Sequence, residues 1–173
     1  MRCRPRDDRA DDVADGLPLL PVDRVRVLPG VTAAGISNMA PFVYASAVMS
    51  MTLRGDSAEP IEARALSYVI TPGYADALSF RVREGRLFDL RDGSAGVRPI
   101  LVNEAFARAH LSDGKPVTGR RFNASFAPAD ATVEIIGVVA NVLKDGLDTR
   151  AEPAVYNLPR DRFGLPPNMN IAL

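Results

Sequence analysis

The chain has 173 residues, of which 47% are apolar, enough to bury the core of one ordinary domain or of two small lobes. Its 21 acidic and 21 basic residues balance, so no net charge attracts it to nucleic acid or to an anionic membrane surface. Cys3 is the single cysteine, which excludes an internal disulfide and a multi-cysteine metal site, and no apolar run approaches the roughly 20 residues that cross a bilayer. We therefore expect a soluble chain with no nucleic-acid partner.

The first 21 residues mix arginine and aspartate with Pro5, Gly16, Pro18 and Pro21. This composition breaks helices and buries little surface, so we predict a loose N-terminal tail over residues 1–21. Residues 22–28 favour a short helix that ends at Pro29-Gly30. Residues 31–37 are typical of a strand.

Residues 49–54 and 62–70 predict a β-hairpin. The first segment, Met-Ser-Met-Thr-Leu-Arg, alternates apolar and polar residues, as a strand with one buried face does. Residues 55–60 are rich in turn-forming residues, so they indicate the loop between the two strands.

An apolar group precedes and enters the first of these strands. Phe42, Tyr44, Met49 and Met51 lie in a stretch that otherwise indicates a connection leading into a strand. Two interpretations stay open. These side chains form the core of a lobe, or they form a contact surface, since methionine and aromatic side chains adapt well to partners. We name them as candidate partner contacts.

Thr71-Pro72 predicts a helix start. A threonine hydroxyl can cap free backbone N–H groups, and a proline at the first helical position sacrifices no hydrogen bond. We expect Thr71 to cap a short helix over residues 74–78, and its replacement by alanine to cost on the order of 1 kcal/mol. Residues 80–88 then indicate an extended segment with a bulge or turn at Gly85.

The second half of the chain predicts short strands around one helix. Asn103 is placed to cap a helix through residues 105–109. Residues 133–139, rich in β-branched side chains, are the strongest strand pattern, and further strand patterns cover residues 99–102, 122–126, 154–158 and 169–173. Hairpins, short helices and no regular alternation of strand and helix predict an α+β fold, not a doubly wound sheet.

No motif for nucleotide binding or for nucleophilic catalysis is present. Gly114-Lys115 resembles the end of a phosphate-binding loop, but Pro116 stands where Ser or Thr is required. His110 is the single histidine, which excludes a multi-histidine metal site, and we place it near the end of the helix that Asn103 caps.

Acidic side chains are the remaining candidates for acid–base chemistry: Glu84, Asp89, Asp92 and Glu104. Solvated surface charge and turn capping explain them more simply. We therefore predict no catalytic residue, no cofactor site and no metal site.

Taken in order and spacing, several short blocks carry a resemblance that covers residues 24–159. The chain resembles the MacB-like periplasmic core domain of ABC-transporter permeases of the MacB/FtsX type. The residues that carry it are Leu28-Pro-Gly-Val31, Thr71-Pro-Gly-Tyr74, Gly85-Arg-Leu-Phe88, Val102 to Arg108, Pro116-Val-Thr-Gly-Arg120, Glu134 to Val139, and Gly146-Leu through Pro153-Ala-Val-Tyr156.

This resemblance implies a periplasmic core domain over residues 22–173, truncated at both ends, with an α+β lobe near the membrane and a more β-rich lobe beyond it. It implies an extracytoplasmic domain of an inner-membrane permease that relays ATP-driven motion in efflux or in lipoprotein and envelope transport. The implied partners are a cytoplasmic ATP-binding subunit or domain reached through membrane helices, a periplasmic adaptor or substrate, and a second permease copy in a dimer. It implies no cofactor for this domain.

Two alternatives come from other classes of function. One is a small free-standing module that binds a ligand or a protein. The other is a hydrolase that uses the carboxylates named above. Membrane-spanning segments encoded on both sides of this domain in the intact gene would favour the permease.

Overall fold

The computed structural model describes residues 20–38, 48–55, 59–89, 91–92, 96–127, 131–142, 151–159 and 170–172. Its helices are α1 (Leu20–Arg26), α2 (Tyr74–Ala77) and α3 (Glu104–His110). Its strands are β1 (Gly35–Ser37), β2 (Val48–Arg54), β3 (Ile61–Val69), β4 (Val82–Gly85), β5 (Val97–Asn103), β6 (Arg121–Ala124), β7 (Thr132–Val139), β8 (Ala154–Asn157) and β9 (Asn170–Ala172). This order of strands and short helices confirms the predicted α+β class.

The predicted hairpin is present as β2 and β3, which pair antiparallel from Val48 opposite Leu66 to Leu53 opposite Ile61. On β2 the buried residues Met51 and Leu53 alternate with the partly exposed Thr52, because successive side chains of a strand point to opposite faces. The apolar period of the sequence therefore decides which face of the hairpin is buried.

Seven strands form one mixed sheet in the order β4-β7-β5-β8-β3-β2-β6. β6 also pairs with the first half of β7, from Arg121 opposite Glu134 to Asn123 opposite Thr132. Six strands thus close into a hydrogen-bonded ring, and β4 continues along the second half of β7. We call this ring, together with β4, the barrel.

The barrel encloses the largest of three cores. Strands β2, β3, β5, β6, β7 and β8 all contribute to it, and α3 adds Phe106, which is 1% exposed. A second core lies on the outer face of β3, β5 and β8, where α2 and the segment after it cover the sheet with Tyr74 and Phe88. Both faces of these strands are buried where the second core lies, whereas Glu62 and Arg64, nearer the start of β3, are exposed.

A two-stranded antiparallel ribbon, formed by β1 and β9, lies apart from the barrel sheet. Beside it α1 buries Val22 against Ala34 and Ile36 in a small third core. α1 agrees with the predicted helix but begins at Leu20, so its first two residues belong to the predicted tail, and residues 1–19 lie outside the described ones. β1 is shorter than the predicted strand over residues 31–37.

The irregularity predicted near Gly85 is present on β4. The register against β7 shifts between Val82 and Glu84, which is a β-bulge. Gly85 itself has a φ of 73°, and a Cβ atom there would lie 2.2 Å from the carbonyl oxygen of Ile136. Only glycine lets this strand turn so close to β7.

Candidate functional site

The ribbon joins the barrel through a set of hydrogen bonds that we call the junction, formed by Arg26, Ala34–Asn38 and Val69–Gly73. The Asn38 N–H donates to the Val69 carbonyl at 3.0 Å, and the Val69 N–H donates to Asn38 Oδ1 at 2.8 Å. Ser37 and Ile70 form an antiparallel bridge. β1 is thereby attached to the end of β3, a central strand of the barrel.

Thr71 belongs to this junction and does not cap α2. The residue before α2 is Gly73, which makes no side-chain capping bond, so the predicted cap is wrong. Thr71 is instead buried at 2% exposure, and its Oγ1 accepts a hydrogen bond from the Ile36 N–H at 2.8 Å. The Thr71 N–H donates in turn to the Ile36 carbonyl at 2.9 Å. Both backbone groups of Ile36 are satisfied by this one residue.

Replacing Thr71 by valine should destabilise the chain, because a side chain of similar shape would leave the buried Ile36 N–H without its acceptor. We expect a loss of about 1–3 kcal/mol in the free energy of unfolding, measured by urea denaturation. Thr71→Ser keeps the hydroxyl and removes one methyl group, so it should cost at most about 1 kcal/mol. Equal losses for both variants would contradict the role of the hydroxyl.

Aromatic rings support the junction from the barrel side. Tyr74, at the start of α2, meets Phe80 edge-on at 6.2 Å between ring centroids, and Phe80 meets Tyr156 at 5.3 Å. Tyr156 stacks on Tyr68 at 5.1 Å. Burial raises the pKa of Tyr74, partly offset by a hydrogen bond to Ser37 of β1. Through Tyr74 the ribbon thus contacts this cluster of aromatic side chains, which belongs to the second core.

The structure divides the candidate partner contacts. Phe42 and Tyr44 lie outside the described residues. Met51 is 2% exposed and packs inside the barrel, so its side chain is a core residue and we withdraw it from the contact set. Met49 is partly buried against the same core. Met49 and Met51 are two positions apart on β2, so both side chains lie on the same face of the strand, and Met49 is the more exposed of the two.

Two of the candidate carboxylates hold β4 to its neighbours. Glu84 accepts hydrogen bonds from the Thr118 N–H at 2.9 Å and from the Thr118 hydroxyl, and the hydroxyl bond is the main reason that the pKa of Glu84 is lowered. Glu104 pairs with Arg83 at 3.1 Å, and its carboxylate accepts a bond from the Asn141 N–H at 3.3 Å. These contacts join β4 to the loop before β6 and to the start of α3.

The other two candidates, Asp89 and Asp92, form a turn in which the Asp92 side chain is only 11% exposed. Arg86 donates to both carboxylate oxygens of Asp92 at 2.7 Å, and hydrogen bonds from Arg91 lower the pKa of Asp89 to about 2. The pKa of Asp92 is also lowered, chiefly by Arg86. A carboxylate whose pKa is lowered by folding stabilises the chain at pH values above its pKa in the unfolded chain. This stability is lost as the pH falls through its pKa in the folded chain. These lowered pKa values are the reverse of the raised pKa that a general acid needs.

His110 is the last residue of α3, as predicted. The centroid of its ring lies 5.0 Å from the centroid of the Phe106 ring. Its buried Nε2 has no hydrogen-bond partner among the described residues. The Gly114-Lys115 loop follows α3 and precedes β6, whereas a phosphate-binding loop precedes a helix whose N–H groups hold the phosphates. Neither feature has the geometry of a known catalytic motif.

Metal-binding clusters and membrane-spanning helices are both absent from the part of the chain that the structure describes. No group there of three or more His, Cys, Asp or Glu side chains is arranged to hold a metal ion. Nor does that part contain a helix with the length and apolar character of a membrane span.

Comparison with known proteins identifies the family. The family model of the MacB-like periplasmic core domain matches residues 5–157. The chain belongs to this family. A comparison with curated proteins finds no significant match.

Solved structures of transporter domains are similar to this MacB-like domain. The periplasmic region of MacB from Actinobacillus actinomycetemcomitans matches at a TM-score of 0.51 and 16% identity, covering 87% of this chain and 59% of that one. A domain assigned to a permease of Porphyromonas gingivalis matches at 0.51 and 18%, covering 80% and 54%. The extracellular domain of the noncanonic ABC-type transporter YknZ from Gram-positive bacteria matches at 0.49 and 23%, covering 79% and 59%.

Each of these similarities covers only part of the solved structure. At such low identities the two matches with a TM-score of 0.51 show a similar fold and no more, and this chain spans between 54% and 59% of the length of the three structures. The fold comparison agrees with the α+β barrel described above.

Sequence reasoning missed most of the junction. Ile36 meets Thr71, and Asn38 meets Val69, each across more than thirty positions of the chain, and no local sequence pattern predicts such a contact. Gly35 did carry a signal, because a glycine within a strand pattern often marks a close approach of another backbone.

Proposed function

We propose that this chain is a non-catalytic extracytoplasmic domain of an ABC-transporter permease, where it relays motion driven by ATP hydrolysis. Its family supports the permease context. The observation that supports the relay is the junction, in which the ribbon is hydrogen-bonded to a central strand of the barrel. Motion of the ribbon would therefore be passed to the barrel as a rigid body.

The geometry of the two parts favours such a relay. A closed ring of strands has few free edges and resists bending, since each strand of the ring is hydrogen-bonded on both sides. A single hydrogen bond contributes only about 1 kcal/mol net to stability. The bonds of Ile36, Asn38, Val69 and Thr71 lie next to one another, so together they hold the ribbon to the barrel. Packed interfaces of this kind transmit small shifts instead of absorbing them.

We also propose partners for this domain. A cytoplasmic ATP-binding subunit or domain would drive the motion through membrane helices, and two permease copies would form a dimer. A periplasmic adaptor or a transported substrate would contact the barrel. We keep Phe42, Tyr44 and Met49 as proposed contacts for such a partner, and no observation on the described residues favours the hydrolase or the free-standing module over this function.

Spin labels in the intact permease, with its ATP-binding partner in lipid nanodiscs, test the relay. With Cys3 replaced by serine, one label replaces Val27, which is 80% exposed beside the ribbon, and another, in a separate sample, replaces the exposed Arg54 at the far end of β2. Arg54 lies roughly 25 Å along the strands from the junction. Distances between the two copies should change at both sites when vanadate traps the nucleotide.

Two outcomes would contradict the proposed function. One is a shift at Val27 with an unchanged distance at Arg54, which would mean that the motion stops at the ribbon. The other is an intact reading frame that encodes no membrane-spanning segment on either side of this domain.

A further inference from the structure

Arg26, the last residue of α1, makes three hydrogen bonds to backbone carbonyls of the junction. Its Nε and Nη2 donate to the Ala34 carbonyl at 3.1 and 2.9 Å, and Nη2 also donates to the Pro72 carbonyl at 2.7 Å. Ala34 leads into β1, and Pro72 follows β3. One guanidinium therefore connects the helix, the ribbon and the barrel.

α1 needs such a connection. It has only seven residues, too few to be stable as an isolated helix. Among its described side chains, Val22 packs in a small core with Ala34 and Ile36, separate from the two cores of the barrel. Apolar contacts are not directional, so by themselves they would let the helix slide, whereas the planar donors of an arginine hold one geometry.

Gly73 provides the space for this guanidinium. It has a φ of 91°, and a Cβ atom at this position would lie 2.4 Å from Arg26 Nη2 and 2.7 Å from the Ala34 carbonyl oxygen. The turn before α2 is thus shaped to admit the Arg26 side chain. This observation is independent of the hydrogen bonds themselves.

We propose that Arg26 is a positioning residue that locks α1 to the junction, so that displacement of α1 moves the ribbon and the barrel together. The inference deepens the proposed function and rests on it for its biological role. The lock itself is a property of this chain and is measurable without a transporter.

Pulsed electron paramagnetic resonance on the 173-residue chain tests the lock, with Cys3 replaced by serine and labels at Val27 and Arg54 of the same molecule. The parent should give one narrow distance distribution. Arg26→Lys keeps the charge but loses the planar donors, so the distribution should broaden about twofold. Gly73→Ala crowds the same contact from the other side and should broaden it likewise.

Two controls make every result decisive. Arg24→Lys changes an exposed arginine of the same helix and should leave the distribution as narrow as in the parent. A second label pair, at Arg54 and at Val82 of β4, reports on the barrel alone and should stay narrow in every variant. An unchanged Val27–Arg54 distribution in Arg26→Lys would overturn the lock, and so would equal broadening of the barrel pair, which would mean a general loss of structure.

The same substitution in the intact permease separates the two proposals. In the Arg26→Lys permease, the nucleotide-dependent change in the distance between the two copies should persist at Val27 and fall at least about twofold at Arg54. A parent that shows no shift at Arg54 contradicts the relay, whereas the broadening in the isolated chain still decides the lock.

Discussion

Replacing Gly35 by alanine should destabilise the chain by about 3 kcal/mol or more, because the new methyl group would overlap the backbone of α2. A Cβ atom at Gly35 would lie 2.1 Å from the Tyr74 nitrogen and 2.2 Å from its Cα. Neither atom belongs to a flexible side chain, and the Tyr74 N–H is itself bonded to the Thr71 carbonyl at 3.1 Å. β1 or α2 would have to move away, and the junction would lose its geometry.

Urea denaturation of the Gly35→Ala chain measures this loss. Gly96→Ala is the matched control, since a Cβ atom built at Gly96 has no neighbour within 4 Å among the described residues. The control should stay within about 0.5 kcal/mol of the parent. A Gly35→Ala chain as stable as the control would show that the contact between β1 and α2 does not form in solution.

Replacing Asn103 by alanine should have a comparable effect, because its amide satisfies three backbone groups at once. Its Oδ1 accepts hydrogen bonds from the N–H groups of Phe106 and Ala154, each at 2.9 Å, and its Nδ2 donates to the Glu152 carbonyl at 2.8 Å. The side chain is 2% exposed. We expect a loss of about 3 kcal/mol in the free energy of unfolding, since buried groups would lose their partners.

A graded series separates the two roles of Asn103. Asn103→Ser keeps an oxygen that can cap α3, so it should recover only the capping part, about 1 kcal/mol. Asn123→Ala is the control, because the Asn123 side chain makes a long, exposed bond of 3.4 Å from Thr132. A serine variant as stable as the parent would mean that Asn103 acts as a helix cap alone and that the link to β8 contributes nothing.

Local patterns predicted the elements of this fold well. Alternation along residues 49–54 placed Met51 and Leu53 on one face, and that face is the buried one. Asn103 caps α3 as expected, because its acceptor and the Phe106 N–H are three positions apart. Interactions of this range depend on the nearest residues, so the sequence shows them directly.

Prediction failed where a side chain had both a local and a distant use. Thr71 stands where a cap is expected, but its hydroxyl bonds the Ile36 N–H, thirty-five positions away. Either arrangement would satisfy one backbone donor. The bond to the buried Ile36 N–H stabilises the chain more, because no water molecule could take its place. Met51 shows the same limit, since an adaptable apolar side chain is equally suited to a core or to a contact surface.

The sequence by itself determined the α+β class, most strands and helices, the cap at Asn103 and, through its ordered blocks, the family. Only the tertiary structure decided that β6 returns to pair with β7 and close a ring, and that Gly35, Thr71 and Arg26 join the ribbon to the barrel. The physical reason is the range of the interactions. Propensity, alternation and capping act over a few residues, whereas ring closure and the junction depend on backbone groups that meet only after the chain has folded.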